Sequence, residues 1–212
     1  MSDFYLAFIY IKDINQNTSI IHLKTEEEIL KFLIRNPMWL SGFVCGEGCF
    51  TGYLSIDKRR LWGLQPGLGF SITQSTDDKA LLKSVNIYFN KKGDVDDKPN
   101  NVSVFAVTKV KVLKEIIIPF FNQYPLIGKK AYEFEQWKKL VDIYYFKNHT
   151  GKSDTSKENI LKFAEILKEL NLRHINNNKL KRMDIIINWL KDLNDFPTIN
   201  DKSKLVTLIK KN

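Results

Sequence analysis

Glu47 sits between two glycines in the stretch WLSGFVCGEGCF, residues 39–50, and no other carboxylate in the chain has a setting that asks so directly for a chemical reason. Plotted at helical period, the stretch has two unlike faces. Trp39, Leu40, Phe43 and Val44 form a bulky apolar face of the kind that packs on a core. Met38, Ser41, Gly42, Cys45 and Gly46 form the other, and most of it is small. Gly42 and Gly46 lie one above the other, and each costs a helix roughly 1 kcal/mol against alanine. A second helix lying close on that face would explain both. Glu47 then falls at the helix C-terminus, where the macrodipole disfavours a carboxylate unless a cation is near. If the partner is an equivalent helix, two carboxylates meet at the end of the seam. They can share divalent metal there, Mg²⁺ above all, through oxygen ligands and retained waters. The plainer alternative on spacing alone is a glycine-punctuated turn carrying a surface glutamate.

The elements that must hold this segment can be read on either side of it. Asn36 suits an N-cap and Pro37 the first helical position, where no amide hydrogen is needed. Apolar residues alternate over 50–56 and again over 61–74, which predicts two strands. In the second, Leu68, Phe70 and Ile72 share one face, and Gly67, Gly69, Ser71 and Thr73 the other. Asp57, Lys58, Arg59 and Arg60 form a charged tip between them. Helical spacing follows at 77–89, strands at 93–95 and 103–108, and helices at 109–121 and 129–146. Beyond these lie an expected hairpin over residues 4–23 and a helix at 25–34 opened by a Thr25/Glu28 capping box. Amphipathic helices are expected at 155–170 and 179–193, and Lys179, Lys181 and Arg182 offer either phosphate contacts or a solvated face.

Composition narrows the function classes. The 212 residues carry 33 Lys plus Arg against 24 Asp plus Glu, a net charge of +9 that favours a polyanionic partner. Both cysteines, Cys45 and Cys49, flank Glu47, and without CxxC or paired histidines neither a zinc site nor a disulfide framework is expected. No apolar run reaches transmembrane length, and the apolar run at 4–11 lacks the basic leader of a secretory signal. No membrane association is expected, and the protein is not expected to be secreted.

Residues 40–48, LSGFVCGEG, resemble the LAGLIDADG motif in its L-x-G-F-x-D-G-E-G form, with Trp39 and Phe50 as aromatic flanks. The one departure is Cys45, where the family carries aspartate. Residues 70–74, FSITQ, and 124–130, YPLIGKK, also resemble recurrent segments of LAGLIDADG homing endonucleases, so the resemblance spans 37–171. It implies an α+β fold with an αββαββα domain at 36–171, an N-terminal extension at 1–35 and a basic helical extension at 172–212. It implies that Glu47, with the Gly46 carbonyl, holds the catalytic metal and that Gln74 orients active-site water. It places Lys129 or Lys130, within one residue of slack, near the scissile phosphate. Tyr53, Ser71 and Thr73 on the strand faces would read base edges, and Lys58, Arg59 and Arg60 would hold phosphates.

The function so implied is Mg²⁺-dependent cleavage of double-stranded DNA at a long, near-palindromic site. The alternatives are a maturase acting on intron RNA, or an inert scaffold kept as a structural or RNA-binding protein, on ribosomal RNA for example. A single motif implies a homodimer whose seam is Met38, Ser41, Gly42, Cys45 and Gly46. A heterodimer with a related LAGLIDADG protein is one alternative, and a monomer packing its glycine face on its own C-terminal helices is another. The Asn, Lys, Ile and Phe bias suggests an AT-rich organellar source, the mitochondrion first.

Overall fold

Helix α1 (Glu26–Arg35) opens with the expected capping box: the Thr25 amide donates to Glu28 Oε2 at 3.1 Å, and the Glu28 amide to Thr25 Oγ1 at 3.2 Å. The computed structural model describes residues 25–149, 156–172 and 177–211, so the hairpin expected over 4–23 lies outside the described residues. Asn36 alone separates α1 from α2 (Pro37–Glu47), the motif helix. Asn36 does not cap α2 as expected. Its side chain donates back to the Phe32 carbonyl at 3.0 Å, closing α1 instead. One residue cannot point its amide both ways, and Pro37 has already removed one of the orphan donors of α2.

α2 runs straight into strand β1 (Gly48–Ile56), which pairs antiparallel with β2 (Leu64–Ser75) from Gly48 opposite Ile72 to Ile56 opposite Leu64. The junction needs a glycine for space. A Cβ on Gly48 would lie 2.4 Å from Val44 Cγ1 and 2.7 Å from the Val44 carbonyl oxygen. A short 3₁₀ turn (Thr76–Asp78) leads to α3 (Lys79–Tyr88), and β3 (Asp94–Lys98) and β4 (Val102–Val107) complete one antiparallel sheet of order β1-β2-β4-β3. α4 (Val110–Val112) widens into a π-type segment (Leu113–Ile117) before α5 (Ile118–Gln123). Pro119 supplies the cause, since it cannot donate and its ring crowds the preceding turn. α6 (Gly128–His149), α7 (Lys157–Leu172), α8 (Asn177–Asp192) and α9 (Ile199–Lys211) follow. The strand and helix order expected from the alternation is borne out, and the α+β class with it.

The period-2 pattern decides where the core lies. Phe50, Leu54, Leu68, Phe70, Ile72, Phe105 and Val107 point to one face and are buried under α2, α3, α5 and α6. Phe50 is the hub, with ring centroids 5.0–5.6 Å from Phe70, Phe121, Phe134 and Trp137. Trp137 satisfies its buried N–H by donating to the Thr51 carbonyl at 3.0 Å, tying α6 to β1. Among the described residues the other face of the sheet carries no helix. α7 and α8 pack against each other and extend the same core past the outer end of β1, and no helix among the described residues is long and apolar enough to cross a membrane.

Candidate active site

The motif helix buries Leu40 and Val44 completely, while Trp39 stacks on Phe43 at 5.2 Å and meets Phe32 of α1 edge-on at 5.5 Å. Ser41 corrects the expected seam. It is 1 % exposed and donates to the Tyr124 carbonyl at 2.7 Å, so it faces the core and cannot meet a second chain. The angular step from Leu40 carries Ser41 inward, whereas Met38, Gly42 and Gly46 are exposed on the outer face and half-buried Cys45, packed partly on the core, lies at its edge. A Cβ on Gly42 or Gly46 would meet nothing within 4 Å. Among the described residues, then, no C-terminal helix covers the glycine face, which removes the single-chain packing considered above.

Glu47 is exposed at the last position of α2, and its carboxylate makes no hydrogen bond or ion pair among the described residues. The cation that the helix end calls for is Lys130. Its ammonium donates to the Gly48 carbonyl at 2.8 Å and lies 3.1 Å from Glu133, whose side chain is 7 % exposed. A positive charge fixed at the C-terminal end of α2 offsets both the macrodipole and the neighbouring Glu47. Lys129 meets the other oxygen of the same carboxylate at 3.9 Å, with its side chain 56 % exposed. Of the two lysines, Lys130 is thus the one whose ammonium reaches the Gly48 carbonyl. Gln74 is half-buried at the end of β2, two residues past the partner of Gly48, so it shares an end of the sheet with Glu47.

The uncovered sheet face brings together Tyr53, Ser71 and Thr73, as the alternation predicted, and adds Cys49 and Thr51, which the same parity would have found. Tyr53 lies across Gly67, where a Cβ would come within 2.2 Å of the ring. This face is not basic. Val104 and Ala106 of β4 share it with Asp94, Asp96 and Lys98 of β3, and Lys98 is 3.4 Å from Asp96. The expected positive surface lies at the hairpin tip instead. Arg59 meets Asp57 through two bonds, Nε to Oδ1 at 2.9 Å and a terminal nitrogen to Oδ2 at 3.0 Å, with its side chain 90 % exposed. That bond, followed by the one from the Arg59 amide, holds the Asp57 carboxyl below its usual range. Arg60 stands 3.8 Å from Asp57, and Lys58 donates to Ser203 at 3.0 Å. Of the C-terminal cations, Arg182 turns inward onto the Leu54 carbonyl at 3.0 Å, Lys181 is exposed, and the side chain of Lys179 lies outside the described residues.

Among the described residues no three His, Cys, Asp or Glu side chains cluster as a metal site. The Glu47 carboxylate and the backbone oxygens beside it are the donors that this helix end could offer a hard divalent ion.

Comparison with known proteins returns one family model, the LAGLIDADG endonuclease, over residues 40–141. The chain is 31 % identical over 141 residues to the probable intron-encoded endonuclease 2 of Neurospora crassa, covering 64 % of this chain and 30 % of that protein. It thus spans about a third of the length of that relative. Among solved structures, the homing endonuclease I-TnaI is 29 % identical with a TM-score of 0.61, over 71 % of this chain and 97 % of the other. The meganuclease I-SmaMI bound to uncleavable DNA is 30 % identical with a TM-score of 0.57, over 68 % and 46 %.

Proposed function

We propose, from the premise that this chain belongs to the LAGLIDADG endonuclease family through residues 40–141, that it is a metal-dependent homing endonuclease cleaving double-stranded DNA at a long, near-palindromic site. The observation that carries the reading is Glu47, an exposed carboxylate at the end of an uncovered glycine-faced helix, with Lys130 fixed one residue away at the Gly48 carbonyl. Glu47 and the Gly46 carbonyl are the oxygens that would hold Mg²⁺. When bound, the ion supplies an activated water and neutralises charge on the phosphate. Lys130 adds a fixed positive charge at the same helix end, where negative charge develops as the phosphodiester breaks. Gln74, at the same end of the sheet, offers an amide to orient the attacking water.

The second carboxylate comes from a second copy. The outer face of α2, with Gly42 and Gly46 open and Met38 51 % exposed, suits close approach of the same helix from another chain about a two-fold axis. That symmetry is the reason for a near-palindromic target. Tyr53, Ser71 and Thr73 would read base edges from the uncovered sheet face, and Lys58, Arg59 and Arg60 would hold phosphates at its outer end. An organellar source, the mitochondrion first, is supported by the intron-encoded relative and by the compositional bias.

The test is to incubate the purified chain with Mg²⁺ and a randomised duplex library and to sequence the cut ends. Recurrent ends at one long two-fold site are expected. A chain that cuts nothing but binds RNA tightly would replace this reading with the maturase, and one that does neither with the inert scaffold.

A further inference from the structure

The outer end of the β1–β2 hairpin is held by the last helix, and the residue that holds it is a cation. Lys202 of α9 is 9 % exposed, and its ammonium donates to the backbone carbonyls of Lys58 at 3.2 Å and Arg60 at 2.8 Å. Its stem packs on Gly63, which has φ +68°, with Lys202 Cγ 3.0 Å from where a Cβ would stand. Ser203, next on the helix, accepts from Lys58 at 3.0 Å, and Trp62 packs on Phe196 at 5.1 Å just before the helix. A neutral donor could have fastened those carbonyls. A cation there is electrostatically unfavourable, because the turn already carries Lys58, Arg59 and Arg60 against a single carboxylate, Asp57. The cost has a return if the turn must present concentrated positive charge in one fixed shape.

We propose that Lys202 is a positioning residue for nucleic-acid contact. It orders the 57–63 turn through its backbone, so that Arg59 and Arg60 meet phosphates without first being immobilised, and it adds its own charge to the tip. The proposal rests on the duplex-DNA reading above. It assigns the C-terminal helix a role in binding, separate from Glu47 and Lys130 at the other end of the hairpin.

The experiment uses the full chain with Lys202→Met, which keeps the stem and removes the charged donor, and Lys202→Arg, which keeps the charge. Limited trypsin digestion reads the order of the turn at Lys58, Arg59 and Arg60. Titration of cleavage against protein concentration reads binding and turnover separately. Lys202→Met is expected to speed cutting at the turn by roughly tenfold and to raise the concentration for half-maximal DNA cleavage by a similar factor, with a smaller effect on the rate at saturation. Lys202→Arg should restore both. If the methionine variant does not fold, Lys202→Gln carries the same readouts. A neutral variant with wild-type tryptic cutting, or with a loosened turn but unchanged DNA affinity, overturns the proposal. Wild-type protein that binds no duplex DNA at any salt overturns the endonuclease reading itself, a result distinct from either.

Discussion

The β1–β2 hairpin is gripped at each end by a lysine that donates to its backbone, Lys130 to Gly48 and Lys202 to Lys58 and Arg60, and the surroundings of the two grips differ. Lys130 shares its charge with buried Glu133 and stands at the end of a helix that carries an exposed carboxylate and an outer face that nothing among the described residues covers. Lys202 donates to two carbonyls and stands among other cations on a turn that a helix covers. At the first end charges of both signs are brought together at one point, as bond cleavage requires. At the second, one sign is accumulated and held still, as backbone binding requires. The two ends should therefore fail in different ways.

The largest expected effect is at the first end. Glu47→Gln should lower Mg²⁺-dependent cleavage by about a hundredfold or more, with folding and DNA binding nearly unchanged. Cleavage that persists at a similar rate would move the active site elsewhere. Lys130→Met should damage both chemistry and fold, because it takes the nearer ammonium from buried Glu133 and a donor from the Gly48 carbonyl. A loss of about 1–3 kcal/mol in thermal or denaturant unfolding is expected. Full stability in that variant would show that Lys129 takes over the pair.

Gly42→Leu sharpens the contrast between the covered and uncovered sides of α2. The single chain has room for the side chain, so monomer stability should hold while a paired seam loses about 1–3 kcal/mol per site. Sedimentation at micromolar concentration reads this directly, and a wild type that stays monomeric on concentration would remove the homodimer.

The smallest effects belong to the second end. Arg59→Ala with Arg60→Ala should flatten the salt dependence of binding by about one unit per lost phosphate contact, without altering the rate at saturation. An unchanged slope would make the tip a solvated turn. The Asp57 carboxyl is held below its ordinary value, first by the Arg59 side chain, so its contribution to the turn is present above the ordinary aspartate range. It is lost only as pH falls through the lowered value. An NMR titration should find that midpoint lowered in the wild type and returned toward the ordinary aspartate value in Arg59→Ala.

Much of this architecture was legible because its signals are local. The period-2 alternation at 68–73 set which strand face is buried, and the Thr25/Glu28 box set the start of α1. α9 was missed although Pro197 and a Thr198/Asp201 box announce it: the Asp201 amide donates to Thr198 Oγ1 at 3.2 Å, and the Thr198 amide to Asp201 at 3.1 Å. The partners of the cations are not encoded locally. Lys202 and Arg182 look like solvated or phosphate-binding side chains in a list of charges, yet both are spent on carbonyls of the hairpin.

The sequence by itself determined the order of elements, the motif and the carboxylate at its end, because periodicity, caps and glycine spacing act within a few residues of one another. Tertiary structure decided which way Ser41 turns, which of Lys129 and Lys130 reaches Gly48, and where the positive charge gathers. Those outcomes depend on residues 83, 82 and 142–145 positions apart meeting in space. A buried polar group takes whichever partner the packing of distant elements leaves within about 3 Å, and no local pattern encodes that.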